Sequence, residues 1–160
     1  MDPELDLVLE RVVDVPPGLV WAGWTQPHHL KKWFCPRPWR VTHCEIDLRP
    51  GGIFRTVMQG PDGTENDNTG CYLEVVPGSR IVWTGALEGD YRPSRAVEGA
   101  PFVFTAQVTI EPHGAGTRYR AVVMHALRSA AQTHQEMGFE AGWGAAFDQL
   151  VDEIRQGSIT

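Results

Sequence analysis

The sequence predicts an α+β fold: a curved antiparallel sheet of about seven strands wrapped around a long C-terminal helix, with two short helices after the first strand. Three observations carry this. From Trp39 to His125 the chain alternates apolar and polar residues with period two, interrupted by Gly, Pro and Asp turns. From Ser129 to Gly157 the period becomes helical. Consecutive antiparallel strands bury one face, and a single amphipathic helix is the natural cover for it.

The elements follow in order. Leu5 to Val15 alternates and is rich in Val and Leu, so it reads as a strand, which Pro16-Pro17 stops. Gly18 to Trp24 reads as a short helix. Gln26-Pro27 opens a second, His28 to Phe34, with Pro27 where a first-turn proline fits. Cys35-Pro36-Arg37-Pro38 must be loop. Arg40 to Leu48 is a strand with Cys44, Ile46 and Leu48 on one face and His43, Glu45 and Asp47 on the other. A turn at Arg49-Pro50-Gly51-Gly52 leads to the strand Ile53 to Gln59, and Pro61-Asp62-Gly63 closes a hairpin. Thr69 to Val76 and Arg80 to Leu87 are two more strands. Glu88 to Pro101 lacks periodicity and reads as an excursion loop. Phe102 to Glu111 and Thr117 to His125 form the last hairpin.

The C-terminal stretch reads as one capped helix. Thr133-His134-Gln135-Glu136 has the form of a capping box, and Gly157 is a natural stop. Phe139, Trp143, Ala146, Phe147, Leu150, Val151 and Ile154 fall on one stripe. Gly138, Gly142 and Gly144 interrupt it, each costing about 1 kcal/mol against Ala in a helix interior. Such a helix needs either close backbone approach or room beside it, and room beside a helix is where a ligand would go.

A chain of 160 residues is expected to form one domain over 1–160. Its net charge of -6, with no Lys/Arg cluster, argues against nucleic acid as a partner. The acidic start, Met1-Asp2-Pro3-Glu4, does not resemble a signal peptide, and no apolar run suits a membrane span. Three cysteines are too few and too odd in number for a disulfide framework, which points to a reducing, cytoplasmic setting. No dinucleotide, P-loop or nucleophile-elbow motif is present, and His28, His29, His43, Cys35, Cys44 and Cys71 lack zinc spacing. Neither a metal nor a cofactor is expected.

Several words in the chain, in this order and spacing, carry a resemblance: Arg11-Val12-Val13-Asp14-Val15-Pro16 leading to Val20-Trp21 and Trp24-Thr25; His29-Leu30 before Trp33; Asp47-Leu48-Arg49-Pro50-Gly51-Gly52; Gly70-Cys71-Tyr72-Leu73-Glu74-Val75; Arg80-Ile81-Val82-Trp83-Thr84; Gly116-Thr117; and Met137-Gly138-Phe139 with Gly142-Trp143. Together they resemble the SRPBCC (START-like, helix-grip) superfamily, in the branch named for the activator of heat-shock-protein-90 ATPase. The resemblance implies the helix-grip fold. Members of the superfamily bind lipids, hormones and polyketides, some catalyse cyclisation or aromatisation, and one eukaryotic group stimulates a chaperone. Relatives are often dimers, so a homodimer is one expectation. The fold alone does not settle which function applies.

On that frame, the expected site is a cavity for a small hydrophobic molecule, lined by Trp33, Phe34, Phe54, Met58, Trp83, Phe102, Phe104, Tyr119, Phe139 and Trp143. The inward strand face, the second short helix, the Glu88–Pro101 loop and the start of the long helix would build it. His125 shares strand parity with Tyr119 and either orients a ligand, moves protons, or is a hydrogen-bonded strand-end histidine. Glu140 lies inside the apolar stripe and is expected at the cavity mouth, with His134 nearby. Asp47, Arg55, Tyr72 and Glu74 read as a structural polar set. Cys35, beside Arg37, is the thiol whose reactivity is worth testing. No catalytic residue is assigned. The leading function is carriage of a lipid- or polyketide-like molecule; the alternatives are a cyclase- or aromatase-type enzyme and a chaperone-stimulating module. The last is weaker because the eukaryotic chaperone activators carry an additional N-terminal domain.

Overall fold

The computed structural model describes residues 1–95 and 102–160. Strand β1 (Asp6–Val13) is followed by helices α1 (Pro17–Thr25) and α2 (Pro27–Leu30), each opened by its proline. Then come β2 (Arg40–Ile46), β3 (Ile53–Gln59), β4 (Glu65–Val76) and β5 (Arg80–Thr84). Two short strands, β6 (Leu87–Glu88) and β7 (Arg92–Pro93), flank a single helical turn at Gly89–Tyr91. Strands β8 (Phe104–His113) and β9 (Gly116–His125) lead into α3 (Arg128–Glu136) and α4 (Phe139–Arg155). The seven-stranded sheet has the order β1-β9-β8-β5-β4-β3-β2, antiparallel throughout, as the alternation predicts. No helix among the described residues is long and apolar enough to cross a membrane.

Two strands differ from the sequence reading by more than two residues at one end. β4 begins at Glu65 rather than Thr69. Glu65-Asn66-Asp67-Asn68 has the composition of a loop, yet β3 offers it a ladder, pairing Met58 with Asn66 and Thr56 with Asn68. The strand read as Arg80 to Leu87 ends at Thr84, and the β6–β7 excursion turns back against β3 and β4. There Asp90 N–H donates to the Gly51 carbonyl at 2.7 Å, and the Arg49 guanidinium lies 3.7 Å from the Asp90 carboxylate. The rest of the predicted excursion loop, residues 96–101, lies outside the described residues.

The single helix read from Ser129 to Gly157 is in fact two. Gly138 has φ 95° and ψ 43°, a left-handed conformation that closes α3 and opens α4. Thr133 therefore lies inside α3, whose N-cap is Leu127, and the capping box does not form. The other two glycines divide the two explanations between them. A Cβ on Gly144 would stand 2.9 Å from Arg11 Nη2 and 3.9 Å from Leu9 Cδ1, so α4 approaches β1 closely there. A Cβ on Gly142 would have no atom within 4 Å. The room is at Gly142.

The two halves of α4 differ in bulk. Its second half buries Phe147, Leu150, Val151 and Ile154 among Leu9, Val20, Ile110 and Tyr119, with the Phe147 and Tyr119 rings stacked at 3.9 Å. Helix α1 closes on it through Gly23, where a Cβ would meet Leu150 Cδ1 at 2.4 Å. Along the first half, Gly138, Gly142 and Ala146 succeed each other at one-turn spacing, and the space under them stays open.

The same substitution should therefore have opposite signs at two helical glycines. Gly142→Ala stabilises by about 1 kcal/mol, the ordinary helix-interior difference. Gly23→Ala destabilises by about 1–3 kcal/mol, the usual range for overpacking. Urea midpoints that shift in opposite directions with unchanged slopes are the expected result; shifts of one sign would refute this packing.

Candidate functional site

The open space is a cavity of about 510 Å³. The sheet forms its floor: Phe54, Thr56 and Met58 from β3, Asn66, Asn68 and Gly70 from β4, then Trp83, Phe104 and Tyr119 from the strands beyond. Phe139, Gly142, Trp143 and Ala146 of α4 form the roof, with His134, Met137 and Gly138 at its edge. Trp24 of α1 and the segment Trp33 to Pro36 close one end. The walls hold one another. Trp24 meets Trp33 edge-on at 4.9 Å and Phe34 at 5.5 Å, and lies 5.3 Å from Trp83. Trp83 and Trp143 face each other at 6.4 Å, nearly parallel.

Ten of the twelve residues expected from the sequence line this space: Trp33, Phe34, Phe54, Met58, Trp83, Phe102, Phe104, Tyr119, Phe139 and Trp143. His125 and Glu140 do not. Glu140 is exposed in the first turn of α4, where its carboxylate complements the helix dipole. It shares α4 with Phe139 and Trp143, about 100° and 60° around the helix from them, so it stands at the margin of the inward stripe, where its side chain reaches solvent. Glu136 is also exposed and accepts a hydrogen bond from Gln132 Nε2 at 3.2 Å. Trp24, 1% exposed at the centre of the aromatic set, was not anticipated. The only sequence signal for it is its place three residues after Trp21 on a helix too short to show a stripe.

Gln149 fixes the end wall. Its Nε2 donates to the carbonyls of Trp33 at 3.0 Å and Cys35 at 2.9 Å, while its Oε1 accepts from Arg37 N–H at 3.0 Å. Cys35, the thiol worth testing for reactivity, is buried in this wall, and desolvation pushes its pKa up to about 11, against the activation that Arg37 beside it would give. The Arg37 guanidinium pairs instead with Glu153 at 3.0 Å. Of the polar set, Arg55 binds Asp67 through two bonds of 2.9 and 2.8 Å, and Arg80 lies 3.3 Å from Glu74. Asp47 accepts from Arg49 Nε at 2.9 Å. Tyr72 departs from the set: it is buried against Phe54 with rings stacked at 5.2 Å, and its hydroxyl has no partner among the described residues.

The cavity's chemistry is neutral. Among the described residues Asp67 is the one acidic residue in its lining, and its carboxylate is held by Arg55. The Thr56 side chain, 3% exposed, faces the space from the floor. The indole N–H of Trp24 approaches the Tyr119 hydroxyl but falls short of hydrogen-bond geometry. Among the described residues no three His, Cys, Asp or Glu side chains are grouped to hold a metal ion.

His134 is the buried ionisable group of the wall. Its Nδ1 lies 2.9 Å from Nε2 of His125, whose Nδ1 lies 2.9 Å from the Leu5 carbonyl. The ring of His134 stacks on Phe102 at 4.4 Å and meets Phe139 edge-on at 5.3 Å. His125 is thus on the inner face, as its parity predicts, but stands behind His134 and contacts the backbone of the β1 approach.

Burial first, and the neighbouring His125 second, lower the His134 pKa to about 4. The unfolded chain then binds more protons than the folded one between about pH 6.5 and 4. Stability is therefore full above that window and falls as pH drops through it, by on the order of 3 kcal/mol. His134→Phe, which keeps the ring stack, should flatten this part of the stability profile measured by urea unfolding. An unchanged slope would place the acid sensitivity elsewhere.

Comparison with known proteins supplies the family. The model of the family described as "Activator of Hsp90 ATPase homolog 1-like protein" matches residues 14–155. No curated protein matches the chain. A crystal structure of a Nitrosomonas europaea protein is 47% identical, covering 99% of both chains with a TM-score of 0.92. A Mycobacterium smegmatis protein is 27% identical, covering 92% of this chain and 88% of that one, with a TM-score of 0.75. An AHSA1 protein from Silicibacter pomeroyi, 22% identical over 95% of this chain and 99% of its own with a TM-score of 0.69, shares the fold. The fold is of a generally ligand-binding type. With its helix-grip architecture and a family match over nearly its whole length, this chain belongs to the activator of Hsp90 ATPase homolog 1-like family, within the SRPBCC superfamily.

Proposed function

We propose that this protein binds a neutral, largely apolar small molecule, lipid- or polyketide-like, in the cavity beneath the first half of α4. The observation that carries this reading is the cavity itself: about 510 Å³ walled by aromatic side chains, with the Asp67 carboxylate in its lining neutralised by Arg55. That volume is within the ordinary range for small-molecule sites. Burying about 300 Å² of apolar ligand surface would supply on the order of 7 kcal/mol before association and ordering costs, which leaves weak, readily reversible binding suited to carriage. The rigid, mutually packed walls favour flat or ring-containing molecules over flexible chains, because offset and edge contacts with rings extend the pattern already present. The expected contact residues are those ten that line the space, with Trp24 added.

The test uses pyrene, an apolar polycyclic probe, and the protein's own tryptophans. Four of them, Trp24, Trp33, Trp83 and Trp143, line the cavity, so bound pyrene should quench their emission by energy transfer. Gly142→Leu projects a side chain into the open space and should weaken binding at least ~10-fold, the loss of about 1.4 kcal/mol, while cooperative unfolding is retained. Native and denaturing mass spectra of the purified protein give a second readout, since a retained ligand adds mass only in the native spectrum. If pyrene binds Gly142→Leu as well as wild type, the cavity is not the site, and a protein-docking role resting on the exposed surface becomes the better reading.

A further inference from the structure

We infer that His134 Nε2 is a hydrogen-bond acceptor that sets the specificity of the cavity, taking a proton-donating hydroxyl of the ligand; the cavity therefore prefers neutral hydroxylated ring compounds to their ethers and parent hydrocarbons. This rests on the cavity being a ligand site, and it adds the polar feature the ligand must carry.

The argument is a chain of proton positions. The Leu5 carbonyl only accepts, so the proton of neutral His125 must sit on Nδ1, 2.9 Å away. Nε2 of His125 is then bare and can only accept. Its neighbour at 2.9 Å, Nδ1 of His134, must therefore carry the proton of neutral His134. That leaves Nε2 of His134 bare. A backbone carbonyl at one end thus dictates which atom is a lone pair at the other, the way an orienting partner fixes a catalytic or metal-binding histidine.

The ring is also held in place. Phe102 covers one side at 4.4 Å, Phe104 lies 5.3 Å away at 29°, and Phe139 presents its edge at 5.3 Å. The residue is 8% exposed and forms part of the cavity wall, and its Nε2 has no protein partner among the described residues. The low pKa of the ring keeps it neutral at working pH, which preserves the acceptor. An oriented lone pair in the cavity wall that no protein group among the described residues satisfies discriminates between ligands that supply a donor and ligands that do not.

The test compares three probes of one shape: pyrene, a monohydroxylated pyrene and the corresponding methyl ether, each titrated against tryptophan emission at neutral pH. For wild type the hydroxylated probe should bind about 10-fold more tightly than the ether, the scale of one net hydrogen bond. In His134→Phe that ratio should fall to about one, with the ether still bound. A ratio near one in wild type, or an undiminished ratio in His134→Phe, overturns the inference while leaving the cavity reading intact. Failure of all three probes overturns the cavity reading, and this inference with it. A second measurement does not depend on the variant folding: nitrogen-detected NMR of histidine-labelled wild type should show His134 Nε2 unprotonated, with a signal that moves on adding the hydroxylated probe and not the ether. A protonated Nε2 overturns the proposal.

Discussion

Everything in this structure depends on where the bulk stops along α4. Phe147, Leu150, Val151 and Ile154 pin the second half of the helix into the sheet, and Gly23 lets α1 close directly on Leu150. That seam is dense enough to hold the helix by one end. The first half can then carry Gly142 and Ala146 where a core would ask for Leu or Phe. Empty apolar space forfeits dispersion contacts for every atom that lines it. The walls offset this by packing on each other: Trp24, Trp33, Phe34, Phe54 and Trp83 form one continuous edge-to-face and tilted cluster. The hollow is thus a property of two neighbouring halves, one overfilled and one left open.

Gly138 ties the cavity to the histidine pair. Had α3 and α4 been one straight helix, a residue at position 134 would share the azimuth of the turn leading to Phe139. The left-handed turn at Gly138 instead lets α3 pack on β9 and β1, and so brings His134 against His125. One backbone conformation sets the edge of the roof and the position of its polar atom. This also explains why a residue whose replacement would meet nothing within 4 Å is still glycine: the constraint is φ 95°, not space.

Sequence patterns made the strands, their order and most of the cavity's aromatic lining legible, because alternation reports which face is buried and large aromatics on that face have few places to go. They failed where the deciding partner lies elsewhere in the chain. Asn66 and Asn68 belong to a strand only because β3 pairs with them. The parity of His125 was readable, but the ring that it touches comes from another element nine positions on. Glu140 was read into a stripe that it only borders, and from that margin its side chain reaches solvent. Cys35 looked electropositive beside Arg37, yet the guanidinium turns to Glu153 and the thiol is buried. In each case local chemistry was read correctly and the tertiary partner was not in view.

The charges complete the argument about what can enter. The chain carries a net charge of -6, but the ion pairs Arg118–Glu10 and Arg155–Asp14 lie on the outside of the molecule, and Asp67, the one acidic residue of the cavity lining among the described residues, is already paired with Arg55. A ligand carboxylate or phosphate would lose its hydration here and find no cation to replace it, a cost of several kcal/mol. A ligand ammonium would fare little better, since His134 is neutral and Asp67 is engaged. Among the described residues the polar opportunities that remain include the hydroxyls of Thr56 and Thr69, the Asn66 and Asn68 amides and the oriented histidine, all uncharged. In the proposed function, apolar surface would provide the affinity and a single neutral donor the orientation. Acid would reverse the second of these, because one proton added to the pair turns its free end from acceptor to donor. The group that weakens the fold as pH falls is the same one proposed to read the ligand, so fold stability and the proposed selectivity are tied to one pair of rings.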